Sequence, residues 1–167
     1  QRGDFFDTLI RSILGQQVST KAAQAVYNKL LSRYNQILDP GILRLATQEE
    51  LREVGISRQK YSYIVDLSEH FIEKQHIFES LDSASDQEVI ESLTQIKGIG
   101  VWTAQMFLMF TLGRLDVFPI DDLGIRNAMY KLYDLPKDSP RKLLIQKSEP
   151  WTPYRSVACW HLWKSLH

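Results

Sequence analysis

Leu93-Thr94-Gln95-Ile96-Lys97-Gly98-Ile99-Gly100-Val101-Trp102-Thr103-Ala104 sets two glycines around one apolar residue, between two stretches of helical periodicity. Val89, Ile90 and Leu93 share a helical face before it, and Ala104, Phe107 and Leu108 share one after it. The spacing predicts an amphipathic helix ending near Leu93, a tight turn, and a second helix beginning near Val101. Gly98 and Gly100 permit positive φ and close approach of another backbone, and Ile99 is expected to plug the space between the helices. Amides at the start of the second helix then face whatever approaches, and together with the helix dipole they favour an anion such as a phosphate. The same residues also suit an ordinary helix–turn–helix connection, so the turn alone leaves its ligand open.

Working outward, the rest of the chain carries the same 3.6-residue period and no sustained alternation. Leu9, Ile10, Ile13 and Leu14 are in helical register, as are Ala22, Val26 and Leu30, then Ile64, Val65, Phe71 and Ile72, and later Ile125, Met129 and Leu132. Thr47 with Glu50 and Ser85 with Glu88 have capping-box spacing. Asp39-Pro40, Ser139-Pro140 and Thr152-Pro153 each set an oxygen before a proline suited to a first helical turn. The expectation is an all-α fold of eight to ten short helices, with residues 79–86 as the crossover between two helical lobes.

The 167 residues are 44% apolar and 24% charged, enough to bury a core. No apolar run approaches the ~20 residues of a membrane span. The single cysteine, Cys159, excludes an intrachain disulfide framework, a cysteine zinc site and a four-cysteine iron–sulfur cluster. A reduced, intracellular protein is expected. The chain opens at Gln1, so a short N-terminal extension is expected to precede a single core spanning 1–167. Net charge is zero, yet it is segregated: residues 1–36 carry +3, residues 37–136 carry −7 and residues 137–167 carry +4. Solvated helix faces account for this pattern, and so does one basic face made by the two ends.

A second signal follows the turn. Asp116-Val117-Phe118-Pro119-Ile120-Asp121-Asp122 leads into another helix, with two adjacent carboxylates at its N-terminus. One cap needs one aspartate, which leaves a second carboxylate for chemistry.

Together, the glycine turn and the downstream aspartate resemble the helix-hairpin-helix (HhH-GPD) DNA glycosylases, most closely the alkylbase branch, the 3-methyladenine DNA glycosylase II family. Ile13-Leu14-Gly15-Gln16-Gln17-Val18-Ser19-Thr20-Lys21-Ala22 is similar to that family's early helix and loop. Residues 96–104 are similar to its hairpin, 116–122 to its catalytic turn, and 151–158 with Leu162 and Trp163 to its C-terminal helix. The likeness covers nearly the whole chain, with the helix-hairpin-helix at about 86–112, and implies a two-lobed all-α fold with a DNA-binding cleft between the lobes.

The resemblance implies excision of alkylated purines of the 3-methyladenine and 7-methylguanine type from double-stranded DNA, with Asp122 as the catalytic carboxylate and Asp121 as the structural cap. Trp102, Trp163 and Met106 would line the base pocket, where indole faces attract a cationic base. Core packing competes for both tryptophans and is the expectation for Trp160. Trp102 stands where lyase-competent relatives carry a Schiff-base lysine, so the implied enzyme is monofunctional. Gln17 would be the wedge that fills the gap left by a flipped nucleotide, while Gln16 stays inside, bonded to backbone. Lys97, Gly98, Ile99, Gly100 and Trp102 would hold phosphate. Backbone carbonyls of Thr94, Ile96 and Ile99 would hold a monovalent cation, Na+ or K+. Arg155 and Ser156 belong either to the DNA face or to the cap of the last helix. A monomer is implied, cytoplasmic if bacterial and nuclear if eukaryotic. Two rivals share these features in part: a glycosylase for oxidised or mismatched bases, and a non-catalytic helix-hairpin-helix module that only binds DNA.

Overall fold

The computed structural model describes residues 5–166. Among them are eleven α-helices, one 3-10 turn and no strand: α1 (Phe5–Gly15), α2 (Thr20–Arg33), α3 (Pro40–Leu43), α4 (Gln48–Glu53), α5 (Arg58–Glu73), α6 (Gln75–Phe78), α7 (Asp86–Thr94), α8 (Val101–Phe110), α9 (Leu123–Leu132), α10 (Arg141–Ser148), the 3-10 turn Glu149–Trp151, and α11 (Arg155–Lys164). The chain divides into two compact units, the first ending at Gly100 and the second beginning at Val101. The division therefore falls at the glycine turn and not at residues 79–86. That segment is instead pinned within the first unit by the fully buried Leu81 and by the turn bond from Ser83 N–H to the Ser80 carbonyl.

In the first unit, α1 buries Phe6, Leu9, Ile10, Ile13 and Leu14, the i, i+3, i+4, i+7, i+8 stripe of an amphipathic helix. It packs on α2 and on the long α5, which also receives α3 and α4. Ile64 and Leu67 of α5 are fully buried, and the Phe71 ring stacks on Phe78 at 4.3 Å. Both capping boxes form as their spacing predicts: Thr47 and Glu50 open α4, and Ser85 and Glu88 open α7. Asp39 caps α3 ahead of Pro40.

The other two proline signals misplace helix starts. Pro140 itself occupies the cap position of α10, without a side-chain bond. Thr152-Pro153 is a cis peptide, and α11 starts two residues later, at Arg155. In α2 the buried stripe runs through Tyr27 and Leu30, leaving Ala22 exposed. Ile72 and Leu132 likewise face solvent.

The second unit has its core where α9 meets α11: Ile125, Ala128, Met129, Cys159 and Leu162 are buried, together with Ala104, Phe107 and Leu108 of α8 and Leu144 of α10. No described helix is long and apolar enough to cross a membrane.

Candidate active site

The approach to α9 is a sequence of tight turns. Ile120 N–H bonds the Phe118 carbonyl, and Asp122 N–H bonds the Pro119 carbonyl at 2.9 Å. This leaves Asp122 extended, φ −66° and ψ 121°, immediately before the first helical residue. Its Oδ1 accepts the Ile125 N–H at 2.8 Å, three residues on, so Asp122 is the N-cap of α9. The same Oδ1 accepts the indole N–H of Trp163 at 2.9 Å, and Oδ2 accepts that of Trp102 at 2.8 Å. Three donors from three helices thus converge on one partly buried carboxylate and lock its rotamer.

The expected division of labour between the two aspartates is corrected here. Asp121 does not cap the helix; it lies exposed and forms a forked ion pair with Arg141 of α10, at 2.9 and 3.0 Å. Only the residue adjoining the first helical position can reach the third amide, and that residue is Asp122. Cap and candidate catalytic carboxylate are one side chain.

Neighbours shape the space around it. Trp102, in the first turn of α8, is 48% exposed, while Trp163 of α11 is partly buried with Phe110 tilted against it at 5.9 Å between ring centres. Met106, one turn beyond Trp102, is partly buried. Gly124 stands in the first turn of α9, where a methyl group would come within 3.1 Å of both Asp122 Oδ1 and the Trp163 ring. Cys159 is fully buried, its thiol pushed up to about 12 by burial and by the negative charge of Asp122.

The turn before Asp122 is stitched to the start of α11. Arg155 grips Asp116 through Nε and Nη2, at 2.7 and 2.9 Å. Buried Ser156 accepts the Val117 N–H at 2.9 Å and donates to the Arg114 carbonyl at 2.7 Å. Arg155 and Ser156 thus tie the start of the helix that carries Trp163 to this turn. Trp160, expected in the core, is 45% exposed and lies under the Lys164 ammonium at 3.8 Å.

In the first unit the glycine turn is seated on α5. Gly98 has φ +81°, and a methyl group there would collide with the Tyr63 ring. Lys97 gives its N–H to Asp66 at 2.8 Å and its ammonium lies 3.5 Å from the same carboxylate, but the side chain remains 69% exposed. Ile96 and Ile99 are both buried. Gly100 keeps an ordinary backbone, and a methyl there would meet only open space. Gln16 donates from Nε2 to the Gly98 carbonyl at 2.7 Å, while Gln17 is exposed with φ +58°.

Sequence reasoning missed Tyr63, Asp66, Lys60 and Arg141. Each acts across the fold with no local pattern to mark it. A cavity of about 800 Å3 is lined by first-unit residues including Phe6, Phe71 and Phe78. Neither Asp122 nor either site tryptophan is among its lining residues.

The chain is similar to known proteins along nearly its whole length. Residues 10–153 match the family model described as the HhH-GPD superfamily base excision DNA repair protein. DNA-3-methyladenine glycosylase 1 of Schizosaccharomyces pombe is 39% identical over 163 residues, covering 96% of this chain and 72% of the relative. The crystal structure of a DNA-3-methyladenine glycosidase from Bacillus halodurans superposes with a TM-score of 0.85 at 41% identity, covering 96% of this chain and 74% of that one. The S. pombe 3-methyladenine DNA glycosylase in complex with abasic DNA gives a TM-score of 0.78 at 38% identity, covering 95% and 79%.

Proposed function

The chain belongs to the HhH-GPD superfamily of base excision DNA repair proteins, and from that premise we propose that it is a monofunctional DNA-3-methyladenine glycosylase of the II type. It hydrolyses the N-glycosidic bond of alkylated purines in double-stranded DNA, as a monomer inside the cell, and leaves an abasic site. The observation that carries this reading is the Asp122 carboxylate held by Trp102, Trp163 and the Ile125 amide.

In the proposed reaction the C1′–N bond breaks and its electron pair leaves with the base. Positive charge then develops on the sugar. A carboxylate whose orientation is fixed before substrate arrives stabilises that charge without reorganising. Water adds at C1′ and gives up a proton, for which Asp122 is the acceptor. An alkylated purine is already cationic, so its departure needs little acid assistance, and the indole faces of Trp102 and Trp163 with the Met106 side chain favour such a ring. Trp102, engaged with Asp122, stands where a lyase would need an amine, and Lys97 lies on the near side of the hairpin, before Gly98. A rival specificity for oxidised or mismatched bases would use the same carboxylate with less benefit from two indoles.

Phosphate would be held by the amides of Gly98, Gly100 and Trp102, with the exposed Lys97 ammonium nearby. The carbonyls of Thr94, Ile96 and Ile99 are neutral oxygen donors of the kind a hard cation takes. Ile96 O accepts the Ile99 N–H at 3.1 Å, and a carbonyl oxygen has a second lone pair that Na+ or K+ would take. Such an ion would add positive charge against the phosphate.

The decisive test is single-turnover release of free base from methylated duplex DNA by the wild type and by Asp122→Asn. The expected result is release of intact methylpurine by the wild type and its loss in the variant, with no strand cleavage until alkali is added. Binding without release by the wild type, repeated with an N-terminally extended chain, would establish the binding-only alternative. Cleavage without alkali would overturn the monofunctional assignment.

A further inference from the structure

The first unit contains a closed circuit of contacts that no part of the proposed chemistry requires. Lys60 of α5 donates from Nζ to the Leu14 carbonyl at 2.8 Å, fixing the last turn of α1. The Lys60 ammonium is partly buried, and burial lowers its pKa, so this cation is spent on a carbonyl and not displayed. About one and two turns farther along α5, Tyr63 and Asp66 seat the glycine turn through Gly98 and the Lys97 amide. Gln16 closes the circuit from the α1 side, donating to the Gly98 carbonyl at 2.7 Å across 82 residues of sequence.

Immediately after that bond comes Gln17, exposed and with φ +58°. A non-glycine residue rarely holds this left-handed backbone unless its surroundings impose it. The imposing contacts are those just named: α1 is fixed before the loop, Gln16 is fixed to the hairpin, and Ser19 begins α2 after it by accepting the Ala22 N–H.

We propose that Gln16 is a positioning residue that sets the Gln17 wedge in register with the phosphate-binding hairpin, through its side-chain bond to the Gly98 carbonyl. This rests on the glycosylase reading given above. The carbonyl that Gln16 grips belongs to the same residue whose amide is to meet a phosphate. Docking of the backbone and entry of the wedge are therefore one rigid event, without a separate ordering step for the loop.

The test uses Gln16→Met, which keeps the length of the side chain and removes its donor, together with Gln17→Ala and the double variant. Two substrates carry the same methylpurine, one paired in a duplex and one in a single-base bulge, where turning the base out costs less. A 2-aminopurine beside the lesion reports flipping. The expected result is that Gln16→Met binds undamaged duplex within about twofold of the wild type but releases the paired base roughly tenfold more slowly, as misplacement of a positioned group does. Its flipping signal should fall in parallel. On the bulged substrate the loss should shrink to about threefold or less, and the double variant should be no slower than Gln17→Ala, the non-additivity expected of two residues acting as one unit.

Equal losses on both substrates would overturn the proposal, because a general loss of structure does not distinguish them. So would additive effects of the two substitutions, or no effect of Gln16→Met. A wild type that releases no base from either substrate would overturn the glycosylase reading and this inference with it, an outcome distinct from an active wild type beside an unaffected Gln16→Met.

Discussion

Asp122 satisfies the first turn of α9 and also receives two indole donors, so its substitutions separate along two axes. Asn retains an oxygen for the Ile125 amide but turns an NH2 group toward one of the indole N–H groups. Its stability should fall by about 1 kcal/mol. Ala removes the cap as well, for a total near 2 kcal/mol. Both should abolish base release, so urea unfolding ranks the variants where activity cannot. The paired glycines separate in the opposite sense. Gly98→Ala forces a methyl group into Tyr63 at positive φ and should destabilise by at least about 2 kcal/mol. Gly100→Ala meets open space and should leave the melting temperature within a degree or two. Its duplex affinity should nevertheless fall several-fold, because the approach of a phosphate is what that position serves. The pattern Gly-Ile-Gly was legible in the sequence; that its two glycines answer to different masters was not, since Tyr63 lies 35 positions earlier.

Whether an element can be read from sequence depends on the range of the contacts that make it. The capping boxes of α4 and α7 are closed within four residues, so their spacing alone located both helix starts. The same is true of the hairpin, whose helices begin and end within a residue or so of expectation. The choice of Asp122 over Asp121 as cap turned on where α9 starts, a boundary uncertain by one residue in the sequence, while the other partners of the two carboxylates, Trp163 and Arg141, come from α11 and α10. Trp160 was misplaced for a related reason: α11 is apolar on several faces and its period gives no single inward side. The stitch between Asp116 and Arg155 makes a measurable claim at this scale. The Arg155 guanidinium holds the Asp116 carboxyl below its ordinary value, so the pair contributes stability above the unfolded aspartate pKa near 3.9. That contribution is lost as pH falls through the lower, folded value. Unfolding free energy should therefore drop as pH falls below about 4, and Arg155→Met should lower neutral-pH stability by about 1 to 2 kcal/mol while flattening that acid limb. An unchanged acid limb in the variant would show that the pair is not what titrates.

At the scale of the whole molecule, zero net charge conceals basic ends and an acidic middle. Affinity for undamaged duplex should fall linearly in a plot of log K against log salt, by about 0.9 per phosphate neutralised. Lys97→Ala should shallow that slope by about one contact, since its ammonium is mostly exposed despite the 3.5 Å pairing with Asp66. Fluorescence anisotropy between low and physiological salt measures both slopes.

The buried Cys159 has a consequence for how such motions can be watched. It is the only thiol in the chain, fully enclosed and strongly disinclined to ionise, and the thiolate is the reactive form. Maleimide should leave the folded protein almost untouched, so Val18→Cys would become a unique handle for a dye one residue from the wedge. In the unsubstituted protein, the slow labelling of Cys159 itself becomes a clock that ticks only when α11 lifts away from α9.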